Sequence, residues 1–155
     1  MNNEMIALID ESIKTENLME KLYNLYSEKF PQHSKFFIQL SDEEKTHAAL
    51  LSGGKKYFVP HKNFPDELLF PNLEKLQSFN SNFEEIIKIF QTTPPSIEEA
   101  CGYAIKIERT GSEAEFNNAM NEVRDNKAIE IMKTLNKGFK NHAERIFRYS
   151  QNLKK

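Results

Sequence analysis

All six prolines of this 155-residue chain (Pro31, Pro60, Pro65, Pro71, Pro94 and Pro95) lie between positions 31 and 95. Proline lacks a backbone donor and clashes with the preceding helical turn, so the two flanks are left free to form long helices. Each flank carries the matching pattern. Ile9, Ile13, Met19, Leu22, Tyr23, Tyr26 and Phe30 recur at helical spacings and predict helix 1 over about 6–30, ended by Pro31. Phe37, Leu40, Glu44, His47 and Leu51 form a second stripe, helix 2, which the Gly53-Gly54 pair is expected to close.

The segment from about 52 to 95 is different: it holds the turn signals and half of the twelve phenylalanines. Only two helical fragments are expected there, near 72–79 and 81–90, the second starting at a capping box of Ser81 and Glu84; Lys56 to Val59 reads as loop. Helix 3 opens at Pro95-Ser96 with a second capping box, Ser96 and Glu99. It continues through Ile97, Cys101, Ala104, Ile105, Glu108 and Phe116 toward Asn121. Helix 4 is expected as one element from about 126 to 153, on Ile131, Leu135, Phe139, His142, Ile146 and Tyr149. Short links pair helix 1 with 2 and helix 3 with 4. The link of more than 40 residues between helices 2 and 3 is long enough to run the height of a bundle, about 30 Å. The fold class is therefore all-α: a single domain over residues 1–155, built as a four-helix bundle with one long crossover between helices 2 and 3.

Composition excludes several functions. With 23 acidic and 21 basic side chains, a net charge of −2 and no basic run, nothing suggests nucleic acid or an acidic membrane surface as a partner. No segment approaches the roughly 18 apolar residues of a membrane span. The first 20 residues lack a basic start followed by an apolar stretch, so the chain reads as cytoplasmic. One cysteine, Cys101, rules out an intrachain disulfide and any site needing several thiolates, and is expected to pack as a small hydrophobe.

Five residues break the apolar stripes near helix middles: Glu16, Glu44, His47, Glu108 and His142. A lone buried carboxylate is strongly unfavourable, so each should be paired, protonated or bound to a metal. Glu44 and His47, three residues apart, present an oxygen and a nitrogen on one helix face. Ordinary explanations stand beside this one. Glu16 can pair with Lys14 or Lys21, Glu44 can close a capping box with Ser41, either histidine can be a hydrogen-bonded core residue, and Glu108 can sit in a buried salt bridge.

The two halves of the chain match. Glu44-Lys-Thr-His47-Ala parallels Phe139-Lys-Asn-His142-Ala, and Glu16 precedes the first segment much as Glu108 precedes the second. This pattern resembles the rubrerythrin and ferritin-like superfamily, in which helices 1 and 3 each give a Glu and helices 2 and 4 each give a Glu-x-x-His. The resemblance implies that Glu16 and Glu108 are terminal carboxylates, that His47 and His142 are imidazole ligands and that Glu44 is a bridging carboxylate, with Tyr23 near the site. It further implies iron, manganese or another divalent metal, one or two ions per chain, and an oxidoreductase that reduces peroxide or oxygen. A homodimer is expected on the same ground. Because the chain carries no rubredoxin-like domain, a separate protein would donate electrons. The departure is Phe139, which stands where the family has its second bridging Glu; Glu115 stands at the family's second Tyr position. The alternative is a ferritin-like bundle with a degenerate site that serves as a structural or partner-binding module. A weaker third reading makes His47 and His142 axial ligands of a haem.

Overall fold

The structure, a computed structural model, describes residues 3–110, 127–135 and 141–153. All regular structure among them is helical. In chain order it comprises α1 (Asn3–Lys29), α2 (Ser34–Phe58), α3 (Leu73–Thr92), α4 (Ile97–Thr110), α5 (Lys127–Leu135) and α6 (His142–Asn152), with single 3-10 turns at Pro31–His33 and Asp66–Leu68. Among the described residues, no helix is long and apolar enough to cross a membrane.

Pro31 ends α1 as expected, and the tight turn after it sends α2 back along α1. Contacts of Glu20 with Ser41, Glu16 with His47 and Asp10 with Lys55 show the two helices running antiparallel. Gly53 and Gly54 do not close α2, which continues to Phe58 through Lys56, a stretch expected to be loop. Two helical glycines cost about 1 kcal/mol each. Burial of Leu51 and Phe58 against Phe64, Leu68 and Leu69 returns about 1.5–3 kcal/mol per side chain, so the helix continues.

The stretch expected as two fragments is one helix of 20 residues, α3. Its start is Asn72, whose side chain accepts from the Lys75 amide at 2.9 Å, and Ser81 lies exposed in its middle instead of at a cap. No residue between 73 and 92 interrupts a helix, and Leu76, Phe83 and Ile87 keep one buried stripe. Asn80, fully buried, fixes α3 beside α1: it accepts from the Thr15 hydroxyl at 2.8 Å and donates to the Glu11 carbonyl at 2.9 Å and carboxylate at 2.8 Å. The Ser96 and Glu99 capping box forms as read, with Ser96 N to Glu99 Oε2 at 2.8 Å and Glu99 N to Ser96 Oγ at 3.2 Å. Positions 111 to 121 of the expected helix 3 lie outside the described residues, as does Phe139.

The single helix expected over 126–153 is interrupted. Asn141 has φ −43° and ψ 109°, leaves the helical region, and caps a new helix by accepting from Glu144 N at 2.9 Å. His142 is therefore the first residue of α6 and not the middle of a long helix. It lies against α4 and, through Tyr149 stacked on Phe36 at 3.8 Å, against the start of α2.

Two apolar clusters are separated along the helices. The larger joins Leu18 to Tyr26 of α1, Phe37 and Leu40 of α2, Phe83 and Ile87, Ala100, Cys101 and Ala104 of α4, and Ile146. The smaller joins Ile9, Leu51, Phe58, Phe64 and Ala128. Glu16 on α1 and Glu44 with His47 on α2 fall between them in sequence, which places ionisable groups in a layer with hydrocarbon at both ends.

Candidate metal centre

All five residues singled out from the sequence are buried, with exposures of 8% for Glu16, 2% for Glu44, 6% for His47, 4% for Glu108 and 0% for His142. They meet in one cluster. Glu44 lies at its centre and uses its two oxygens separately: Oε2 is 3.2 Å from His47 Nδ1, and Oε1 is 2.7 Å from His142 Nδ1. Glu16 flanks the first imidazole at 3.5 Å from His47 Nδ1, and Glu108 flanks the second at 3.5 Å from His142 Nδ1. The rings themselves lie 5.4 Å apart and nearly parallel, at 23°. The Tyr23 hydroxyl donates to Glu108 Oε1. Four helices, α1, α2, α4 and α6, each deliver at least one member.

Two of the ordinary alternatives give way to these contacts, while the others, core histidines held by hydrogen bonds and a buried ion pair at Glu108, are present in them. Lys14 pairs with Glu84 at 3.4 Å, and Glu16 meets His47. Ser41 donates to the Glu20 carbonyl at 3.3 Å within an unbroken α2, so it caps nothing at Glu44. Glu108 does meet a basic group, but that group is His142.

Two residues essential to the geometry were not read from the sequence. Glu43, buried at 7% exposure, accepts from His142 Nε2 at 2.8 Å, and the Arg145 guanidinium donates to the same carboxylate. The available signal was local: Glu43 adjoins Glu44, about 100° round the helix, and Arg145 follows His142 by one turn. A search of the inward stripe alone passes over both.

Electrostatics follow from burial among charges. Burial by itself would push the His47 imidazole down, but its contacts with Glu16 and Glu44 outweigh that and hold it up at about 10. His142 is likewise held well above its ordinary value, burial being overcome by Glu44, Glu108 and Glu43. For Glu43, burial opposes the charged form, yet hydrogen bonds from His142 and Arg145 bring the carboxyl down to about 2. Carboxylates and imidazoliums thus neutralise one another when no other cation is at hand.

The donor set also fits a metal ion. Ligand atoms of Glu44, His47 and His142 lie within 4.8 Å of one another. Two ligands at about 2.1 Å from one ion stand about 3 Å apart at a right angle and about 4.2 Å apart when opposed, so only a small closure is needed. The fully buried Glu44 Oε1 takes no aligned hydrogen bond from a described residue, although a ring nitrogen is within 2.7 Å. Oxygen and imidazole donors without sulfur suit iron, manganese or zinc over soft cations. Comparisons with protein-family models, with curated proteins and with solved structures find no match to this chain.

Proposed function

We propose that the chain is a rubrerythrin-like, ferritin-like metalloprotein that binds iron at Glu16, Glu44, His47, Glu108 and His142 and reduces peroxide or oxygen. The observation that carries this reading is the division of Glu44, one oxygen to each imidazole, with a further carboxylate beyond each. Each side then offers a terminal carboxylate, an imidazole and one oxygen of a shared carboxylate, which is a donor set for an ion on either side. The helix directions support a four-helix bundle of α1, α2, α4 and the α5–α6 segment. α1 and α2 are antiparallel, α6 runs antiparallel to α2, and α3 lies in the connection between α2 and α4 as the crossover.

Bound iron supplies one-electron ferrous–ferric chemistry, and two ions together match the two electrons that peroxide takes on reduction to water. The chain's own part is to hold the donors in place and keep water out. Leu22, Leu40 and Ala104 wall one end of the layer, and Ile9 and Leu51 wall the other. Tyr23 holds Glu108 by its hydroxyl, so that carboxylate keeps one orientation. The imidazoles must release their protons for a cation to bind, so binding strengthens as pH rises.

A second reading rests on the ion pairs themselves. His47 and His142, held protonated by carboxylates, form a self-neutralised buried network that ties four helices together with no metal, as a structural or partner-binding module requires. Anaerobic reconstitution with ferrous iron separates the two. The metalloprotein takes up iron, loses it in Glu108→Ala and His47→Ala, and turns over peroxide when supplied with electrons. A chain that takes up no iron, manganese or zinc leaves the second reading.

A further inference from the structure

His142 spans a wall. Its Nδ1 faces the buried cluster, 2.7 Å from Glu44 Oε1 and 3.5 Å from Glu108 Oε1, and its Nε2 faces outward, 2.8 Å from Glu43 Oε2. Glu43 is in turn held by Arg145, and both line a surface cavity of about 490 Å³ with Phe36 and Tyr149. One ring nitrogen therefore belongs to the interior and the other to a hydrogen-bonded chain that ends at the protein surface.

We propose that Glu43 is a positioning residue for the metal centre. It holds the Nε2–H of His142, so that the ring presents Nδ1, stripped of its proton, to the metal, with Arg145 keeping the Glu43 carboxylate in place and charged. The inference rests on the metal-binding reading above. A neutral imidazole carries one proton, and whichever nitrogen donates to a fixed acceptor leaves the other as the lone pair. Glu43 is that acceptor. A carboxylate on the outer nitrogen also raises the basicity of the inner one, and losing such a partner weakens metal binding by about 10- to 100-fold. His142 has particular need of this. It opens its helix directly after the Asn141 cap, so its ring angle is set by what its two nitrogens touch.

Glu43 lies beside Glu44 in sequence but serves the opposite side of the imidazole. Consecutive helical positions diverge by about 100°, and α6 packs where both can reach it. One short stretch of α2 thus offers His142 an oxygen at each nitrogen.

The test is a titration of the full chain with zinc, a diamagnetic ion, followed by nitrogen-15 spectra of labelled histidine. In the parent, the expected spectrum has His142 ligated through Nδ1, with an Nε2–H proton that exchanges slowly with water. In Glu43→Ala, zinc affinity falls about 10- to 100-fold, and the Nε2–H becomes labile with shifted ring signals. Glu43→Gln, which keeps an acceptor oxygen without the charge, recovers part of the loss. A residue that only braced the fold would lower the melting temperature and leave the ring signals unchanged. Parent and Glu43→Ala binding zinc alike, with the same ring signals, overturns the inference and leaves the metal reading standing. A parent that binds no zinc, iron or manganese removes both. Should Glu43→Ala not fold, the near-isosteric Glu43→Gln decides alone, a smaller fall in affinity supporting the inference and an unchanged affinity with unchanged signals refuting it.

Discussion

The two sides of the cluster hold equivalent donors by different means. On the α1–α2 side, Glu16, Glu44 and His47 sit within unbroken helices of 27 and 25 residues, with several turns packed on either side. On the α4–α6 side, Glu108 is carried by α4 (Ile97–Thr110), and His142 is the first residue of a helix of 11. Mid-helix donors are aimed by the backbone. A donor at the first position of its helix is aimed by side chains, as Glu43 with Arg145 aim His142, while Tyr23 holds Glu108. Rigidity at one side and hydrogen-bonded support at the other reach the same placement.

Four experiments would break or sharpen this contrast. The largest effect is expected at Glu44, which serves both sides. Glu44→Ala should weaken iron or zinc binding by more than the roughly 100-fold that losing an outer partner can cost, while Glu16→Ala and Glu108→Ala each disturb their own side less. Calorimetric titration of the three variants ranks them, and an equal loss in all three contradicts the shared role of Glu44.

The next effect is on pH dependence in the metal-free protein, where the His47 imidazole and the Glu43 carboxyl shift in opposite directions. His47, raised to about 10, contributes stability that is complete below its unfolded value of 6.5 and is lost as pH rises through about 10. Glu43, lowered to about 2, contributes stability present above its unfolded value of 4.5 and lost as pH falls through about 2. Melting temperature measured against pH with a chelator should therefore fall at both extremes. His47→Gln should flatten the alkaline limb and Glu43→Gln the acid one; a variant that flattens the other limb refutes the assignment.

Removing the α6 cap with Asn141→Ala should cost about 1 kcal/mol by denaturant titration, and the damage should concentrate at His142. Smallest is a gain. A methyl group added at Gly53 meets nothing within 4 Å, so Gly53→Ala should stabilise α2 by about 0.4–1 kcal/mol and leave metal binding unchanged. Destabilisation there would mean that the α2 extension is weaker than its packing suggests.

The sequence was legible where chemistry and periodicity coincided. Glu16, Glu44, His47, Glu108 and His142 stood out because charge on an apolar stripe demands a partner, and the structure brings all five together. Capping by Ser96 and Glu99 was equally plain, since both partners are local. Helix ends set by distant packing were not. Gly53-Gly54 looked like a stop because the burial of Phe58 against Phe64 and Leu68 cannot be seen from α2 alone, and Ser81 looked like a start because Asn80 could not be matched to Thr15 and Glu11, 65 and 69 residues away. Asn141 was overlooked for a simpler reason. Ile131, Leu135, His142, Ile146 and Tyr149 keep a helical rhythm across it, and rhythm hides a residue that both ends and begins a helix. Glu43 lay one position off the stripe and drew no notice, although α6 meets it there.

The restart at Asn141 has an electrical consequence. Aligned peptide dipoles leave about half a positive charge at the amino end of a helix, felt mainly within the first turn. Because α6 begins at His142, that end lies one side chain away from Glu43, Glu44 and Glu108. A helix running unbroken through position 141 would have placed its amino end elsewhere. The backbone of α6 thus adds a fixed positive field that attracts the negative side chains around it and disfavours a second proton on His142. Its direction favours the neutral, ligand-ready ring over the imidazolium, opposing the pull of the surrounding carboxylates.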